Sequence, residues 1–505
     1  MAGETVGKNR SLARWTFAAL GLTVVCYVAN VLLGGLNQDE GWYLYAARQM
    51  MCGEIPHRDF FFTQGMVMPA VYACFGWLWS AAGVLGGRLF TAGLSLSALL
   101  IADRALVSCC SKADDRKLIR LVFFAFLGIN LWYTYFTGIP KAYGLCTLLM
   151  AIGFRLLTGL REGQGIDPWC TIVAGVVFAL LPDVRLSMGI LLPVIAGWLF
   201  WRRAWAGTWN WALFSLAAVV TLGLLYLPEL IFWPEAFWES CQFHAAREPM
   251  GFLGVIGCVA RVMRFNPLLV VTSSLLLWLA ITKKPSLKGT SEHRAAFLQL
   301  WSLCAGALLL VHLFAPVPYD DYQIPALLPL AMTVAFAFSR LPFDSMRLAL
   351  AKVLVVAAVL LTLCASPVAQ DWMVWGHDRF WVKTKSVPDL FELRRVGRLL
   401  RREAKRLQTD CVWTQDTYVA VEAGLRVPKG LEMGPFSKPQ ALQFEPRLAA
   451  WSGYTFAMDY PTLKPAQDSL EKRAILQTIY NRQILSLPYF GQGGTTLTIA
   501  ERTMP

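Results

Sequence analysis

Charge is scarce in this chain. Asp, Glu, Lys and Arg together make up 16% of 505 residues while 56% are hydrophobic, and the mean hydropathy is +0.48. That balance excludes a water-soluble globular protein and makes the bilayer the main solvent. No small-residue cleavage site precedes Asp39, so the span after Lys8, Arg10 and Arg14 is expected to stay as a signal anchor. No low-complexity run and no internal repeat is visible. The 12 cysteines match no zinc spacing and no disulfide framework. Cys26, Cys74, Cys146, Cys170, Cys304 and Cys364 lie in apolar stretches and act there as small hydrophobes. Only Cys52, Cys241 and Cys411 fall in expected outer segments, where location alone would allow a pair. The formal net charge of +13 does not indicate nucleic acid, because the basic residues collect in short loops and in one helix of the tail.

What the chain has in quantity is long apolar runs. Trp15 to Leu36, Trp209 to Trp233, Ala295 to Phe314 and Leu348 to Ala365 each approach the roughly 20 residues a helix needs to cross about 30 Å of hydrocarbon. They are apolar throughout rather than alternating, which excludes a barrel of strands. The expected fold is a polytopic α-helical membrane protein of about 11–13 spans. Lys8, Arg10 and Arg14 place the N-terminus in the cytoplasm and residues 37–64 outside. Arg202-Arg203, Lys283-Lys284-Lys288-Arg294 and Arg340-Arg347-Lys352 mark inner loops, so Pro234 to Phe265, Pro318 to Gln323 and everything after about Val368 are outer. Between Met66 and Trp201 the blocks are short and their charge signals conflict, notably at Lys112 to Arg120.

Two domains follow: a membrane domain over 1–366 with an outer loop at 37–64, and an outward-facing, soluble α/β domain over 367–505. Pro388 to Leu407 reads as an amphipathic helix carrying Arg394, Arg395, Arg398, Arg401, Arg402, Lys405 and Arg406. It is either a solvated face or a dock for anionic lipid or lipid-linked phosphate. Strands are expected at Cys411 to Thr414 and Thr496 to Ile499, with a helix at Ser469 to Tyr480.

The first outer loop opens on Asp39-Glu40-Gly41-Trp42-Tyr43, followed by a helical pattern from Tyr43 to Met50. A carboxylate at the lipid boundary suits a base that must meet one lipid-borne and one aqueous substrate, and equally suits a helix cap. Further on, Pro56-His57-Arg58-Asp59-Phe60-Phe61-Phe62-Thr63-Gln64 places charge and aromatics at the next block. Arg58 can hold a phosphate oxygen or pair within its own loop. Lys141, Asp183, Arg185, His244 and Arg247 interrupt apolar blocks or stand in outer loops; Asp183 and Arg185 can also pair with each other. His312 reads as an interfacial residue. Tyr319-Asp320-Asp321-Tyr322 supplies a second acidic pair, which a divalent cation can bridge, although no ligand spacing is defined there.

The order of these motifs, with Gly83-Val84-Leu85-Gly86-Gly87-Arg88-Leu89 opening the third block and Tyr319-Asp320-Asp321-Tyr322-Gln323-Ile324-Pro325 opening a late one, resembles the GT-C membrane glycosyltransferases. It is most similar to bacterial relatives of the protein mannosyltransferase and aminoarabinose transferase families, over about residues 15 to 340. The resemblance implies Asp39 as the base, with Glu40 a neighbour or substitute. It also implies a polyprenyl-phosphate-linked sugar as donor, inversion at the anomeric carbon, and no required cofactor. The family's basic residue and two prolines at the second block are replaced here by Gln64-Gly65-Met66. Contacts to the donor phosphate are therefore left among Arg58, Lys141, Arg185, His244 and Arg247, while Asp59, Gln64, Asp183, Tyr319, Asp320, Asp321 and Tyr322 are expected with them as substrate-binding residues. A lipid, glycan or protein would be the acceptor, at the outer face of a bacterial inner membrane. The alternatives are a transporter or flippase of a lipid-linked or small solute, and a non-catalytic assembly subunit.

Overall fold

The computed structural model describes residues 2–110, 112–161, 165–245, 251–282, 292–313, 320–340, 344–364, 387–406, 408–414, 416–434, 455–458, 482–490 and 495–501. In chain order the helices are α1 (Ala2–Leu33), α2 (Gln38–Met51), α3 (Val67–Cys74), α4 (Gly76–Trp79), α5 (Gly83–Ser108), α6 (Ala113–Phe123), α7 (Leu131–Gly138), α8 (Ala142–Leu157) and α9 (Pro168–Val184). They continue as α10 (Leu191–Trp201), α11 (Arg203–Ala206), α12 (Asn210–Phe232), α13 (Pro234–Ala245), α14 (Gly251–Phe265), α15 (Pro267–Thr282), α16 (Glu292–Leu313), α17 (Ile324–Phe338), α18 (Asp344–Cys364), α19 (Asp389–Arg406) and α20 (Thr417–Ala423).

Among the described residues five helices are long and apolar enough to cross a membrane, or six with one bent pair counted as a span. Shorter apolar helices such as Ala142–Leu157 and Pro168–Val184 lie between them. At 1.5 Å per residue these reach only about 25 Å, short of the roughly 30 Å core, and hydropathy alone does not separate them from full spans. In the bundle α5 packs on α8, α8 on α9, α9 on α12, and α16 on α17.

The bend is where the fold begins to shape the site. Ala113–Gly128 and Leu131–Gly138 meet at 71°. A π-helical turn, Phe124–Gly128, ends the first half, and the Asn130 side chain accepts the Tyr133 N–H at 3.1 Å to start a new helix. The tip of α1 fixes that start: Asn30 Nδ2 donates to Leu131 O (3.1 Å) and to Thr134 Oγ1 (2.8 Å). Gly128 makes the approach possible, since a Cβ there would lie 2.0 Å from Thr23 Oγ1. Helix α7 then delivers Lys141, in extended backbone, to the head of α8.

Beyond α18 the chain builds a four-stranded sheet from β3 (Val412–Trp413), β4 (Thr455–Met458), β5 (Arg482–Phe490) and β6 (Thr495–Glu501), ordered β3-β4-β6-β5; β1 (Leu160–Arg161) and β2 (Gly165–Ile166) form a small hairpin earlier. Only the β3–β4 pair is parallel. Both expected strands and the amphipathic helix are present; the helix expected at 469–480, and the expected domain boundary at 366/367, lie outside the described residues. The tail rests on the membrane bundle through α20, which packs against α2 and α5. There Glu422 accepts the Val84 N–H (3.0 Å), and Gly83, at φ +60°, leaves no room for a side chain against Glu422. Cys52, Cys241 and Cys411 are all free, so the pair that location allowed does not form.

Candidate active site

Helix α2 starts in a capping box. Asn37 Oδ1 accepts the Asp39 N–H (3.1 Å) and Glu40 Oε1 accepts the Asn37 N–H (2.9 Å). Glu40 is wholly buried and ion-paired with the equally buried Arg88. Arg88 spends its remaining donors on Val31 O (3.1 Å), Gly34 O (2.9 Å) and Gly35 O (2.7 Å). This one guanidinium therefore gathers the end of α1, the link to α2 and the first turn of α2. Both Glu40 oxygens are engaged, so the sequence-based expectation of Glu40 as a substitute base gives way to a buried structural acid.

Asp39, one residue earlier, points the other way. Its side chain is 23% exposed, and Oδ2 lies 2.9 Å from Lys141 Nζ. Lys141 also pairs with Asp321 Oδ2, which accepts the Tyr143 hydroxyl at 3.0 Å. The lysine thus bridges an acid from the head of α2 to an acid at the head of α17, 178 residues beyond Tyr143. Its ammonium sits 5.4 Å from the Phe136 ring centroid and 5.6 Å from that of Tyr143.

Arg185, just after α9, completes the group. Its guanidinium is sandwiched 4.8 Å from the Tyr143 centroid and 4.4 Å from that of Tyr322. Its Nε is buried with no hydrogen-bond partner among the described residues. Stacking holds the plane of the guanidinium while leaving its donors for an anion. Two cations and two carboxylates therefore converge at one end of the bundle, from α2, α8, α9 and α17.

The other expected residues fall elsewhere. Asp183 makes no ion pair with Arg185; it is buried and accepts the Val67 N–H at the start of α3 (2.6 Å). A Cβ on Gly65 would lie 2.2 Å from the Asp183 carbonyl oxygen, which accounts for glycine where the resemblance leads one to expect proline. Arg58 and Asp59 pair with each other through Nε and Nη2 (2.6–2.9 Å) at the surface. That bond holds the Asp59 carboxyl below its ordinary range and engages Arg58 with its own neighbour. Gln64 is half-buried in the loop before α3. His312 is buried and bonded to Ser187 Oγ (2.9 Å), not interfacial. Asp320 opens the turn Asp320–Gln323 and His244 lies on α13, but their side chains, and all of Arg247 and Tyr319, are outside the described residues. No group of three or more His, Cys, Asp or Glu placed to hold a metal occurs among the described residues.

One buried pair went unread in the sequence. His57 Nδ1 lies 3.2 Å from Glu229 Oε2, with the side chains 4% and 1% exposed. His57 adopts φ +68°, uncommon for a residue with a side chain. The signal was available: Glu229 is an acid inside an apolar run.

Neither a family model nor a curated protein matches this chain. Solved structures do. The apo oligosaccharyltransferase of Archaeoglobus fulgidus aligns with a TM-score of 0.51 at 12% identity, covering 88% of this chain and 69% of that one. The same enzyme tethered to an acceptor peptide gives 0.48 at 13% identity, covering 84% of this chain and 64% of that one. ArnT from Cupriavidus metallidurans bound to undecaprenyl phosphate gives 0.48 at 15% identity, covering 84% and 76%. The fold is the one this chain shares with the apo oligosaccharyltransferase, a helical bundle in which several helices are long and apolar enough to cross a membrane.

Proposed function

We propose that this chain is an inverting glycosyltransferase that moves a sugar from a polyprenyl-phosphate donor to an acceptor hydroxyl or amine at the membrane surface, on the outer face of a bacterial inner membrane. The observation that carries the reading is Asp39 Oδ2 held 2.9 Å from Lys141 Nζ, beside the stacked Arg185, just past the first span. Asp39, not Glu40, is the base, because it alone of the two is partly exposed. It takes the acceptor proton as the acceptor oxygen or nitrogen bonds to the anomeric carbon. The bond from that carbon to the phosphate oxygen breaks, and its electron pair leaves with the phosphate.

Lys141 and Arg185 supply positive charge for that leaving phosphate. An arriving phosphate competes with Asp39 for Lys141, so donor binding would release the base as it fills the site. Aromatic rings flank the group: Tyr143 lies beside Lys141 and Arg185, and Phe62 stands edge-on against Tyr43 at 6.1 Å.

The test is the purified full-length protein in lipid nanodiscs, supplied with a panel of hexosyl and pentosyl polyprenyl phosphates. Release of polyprenyl phosphate by wild type and its loss in Asp39→Asn is the expected result. Equal release by Asp39→Asn would overturn the base assignment, and no donor binding at all would overturn the class.

A further inference from the structure

Helix α19 carries seven basic residues in 18, and they are not equivalent. Its buried face is Leu390, Leu393, Val396, Leu400 and Ala404. Three of the cations are committed to the protein. Arg401 donates to Glu422 O (2.9 Å) and Ala423 O (3.2 Å), Arg394 lies 3.8 Å from Glu422 Oε1, and Arg406 bonds Glu403 (2.7 Å).

The other four form a stripe. Phe391, Arg395, Arg398, Arg402 and Lys405 follow at steps of four, three, four and three, which is one face of a helix. All five are exposed. Among the described residues no carboxylate lies within ion-pair distance of Arg395, Arg398, Arg402 or Lys405; Arg398 Nε donates only to Arg394 O (3.3 Å). Arg398 and Arg402 are also like charges four apart, which destabilises the helix until an anion neutralises them.

Where this stripe lies matters as much as its charge. The first residue of α19, Asp389, accepts the N–H of Leu36, three residues past α1 (3.4 Å). The helix packs on α20, whose Glu422 bonds Val84 at the opening of α5. Both anchors are at the same end of the apolar helices α1 and α5, where Arg88 of α5 bonds Val31 O and Gly34 O. At the anchored end stand two exposed apolar side chains, Val387 (42%) and Phe391 (43%), which a purely solvated face does not call for. Apolar residues at one end and arginines along about 20 Å of the same face match a phosphate-bearing lipid surface, because guanidinium forks bind phosphate oxygens in pairs.

We propose that the Phe391-Arg395-Arg398-Arg402-Lys405 face of α19 docks on the phosphate head groups of anionic phospholipid in the leaflet beside Asp39. The test uses the full chain in nanodiscs of phosphatidylcholine alone or with phosphatidylglycerol, and reads amide hydrogen exchange of the peptide over residues 389–406. Exchange should slow about threefold or more in the anionic discs and return at about 1 M salt, where screening shortens to roughly 3 Å. The triple variant Arg395→Gln, Arg398→Gln, Arg402→Gln should lose the lipid dependence. Exchange over residues 142–157 serves as the folding control; if the variant alters it, single Arg398→Gln takes its place. Equal exchange of wild type in both lipids would overturn the proposal. So would protection in neutral discs by inorganic phosphate alone, which would make the stripe a site for a free anion.

Discussion

Glu40 and Arg88 meet as a two-point ion pair, Nε to Oε2 at 2.6 Å and Nη2 to Oε1 at 2.7 Å, with neither side chain exposed. Removing one partner strands the other charge. Glu40→Ala and Arg88→Ala should each cost about 3–5 kcal/mol. Thermal unfolding in detergent should show a smaller loss in the Glu40→Ala, Arg88→Ala double variant than the two single losses added. Additive losses would mean that the pair does not act as a unit.

Asp39 predicts a different signature. Asp39→Asn keeps the size of the side chain and its bond to Lys141 through the amide oxygen, so melting should stay near wild type. Turnover should fall by about 10²- to 10⁴-fold, the usual worth of a positioned base. Loss of melting temperature in step with activity would instead make Asp39 a structural cap.

Arg185→Lys keeps the charge and discards the flat guanidinium between Tyr143 and Tyr322. The KM for the lipid-phosphate donor should rise about tenfold with a smaller change in kcat. A fall in kcat alone would place Arg185 at the reacting centre rather than on the bound donor.

Glu422 makes the tail's hold on the bundle weaken as pH rises. Burial pushes its carboxyl above the ordinary range, outweighing the Val84 N–H and the nearby Arg394. The folded state therefore keeps a proton more tightly than the unfolded state does. The stability that protonation provides is present below the raised value and falls away as pH rises from the ordinary carboxylate range through it. Glu422→Gln should flatten this part of the melting-versus-pH curve, and a curve parallel to wild type would exclude the effect.

Much of this was legible in the sequence because apolar length and charge topology are local signals. Helix α19 was readable within two residues from its strong periodicity. Asp39, Lys141, Arg185 and Asp321 were each visible as charges in costly places, but one sequence cannot say that residues so far apart in the chain converge. Nor can it say which half of an acidic pair faces inward. Asp39 and Glu40 look alike until Arg88 claims one of them, and Arg88 stood in a quoted motif without a role. Asp183 and Arg185 look like partners by spacing, yet the chain leaves α9 between them and sends one to α3 and the other to the aromatic stack.

The clasp between α2 and the tail fixes an order of events during synthesis. Leu36, Arg48 and Tyr45 bond Asp389, Ala420 and Val427, partners 353, 372 and 382 residues later in the chain. At about 5–20 residues per second a ribosome needs roughly 20–75 s to cover that distance. Through that interval the first spans are in the bilayer while the helix bearing Asp39 lacks the support of the tail. The contacts that clasp α2 are thus complete only once residue 427 has been made.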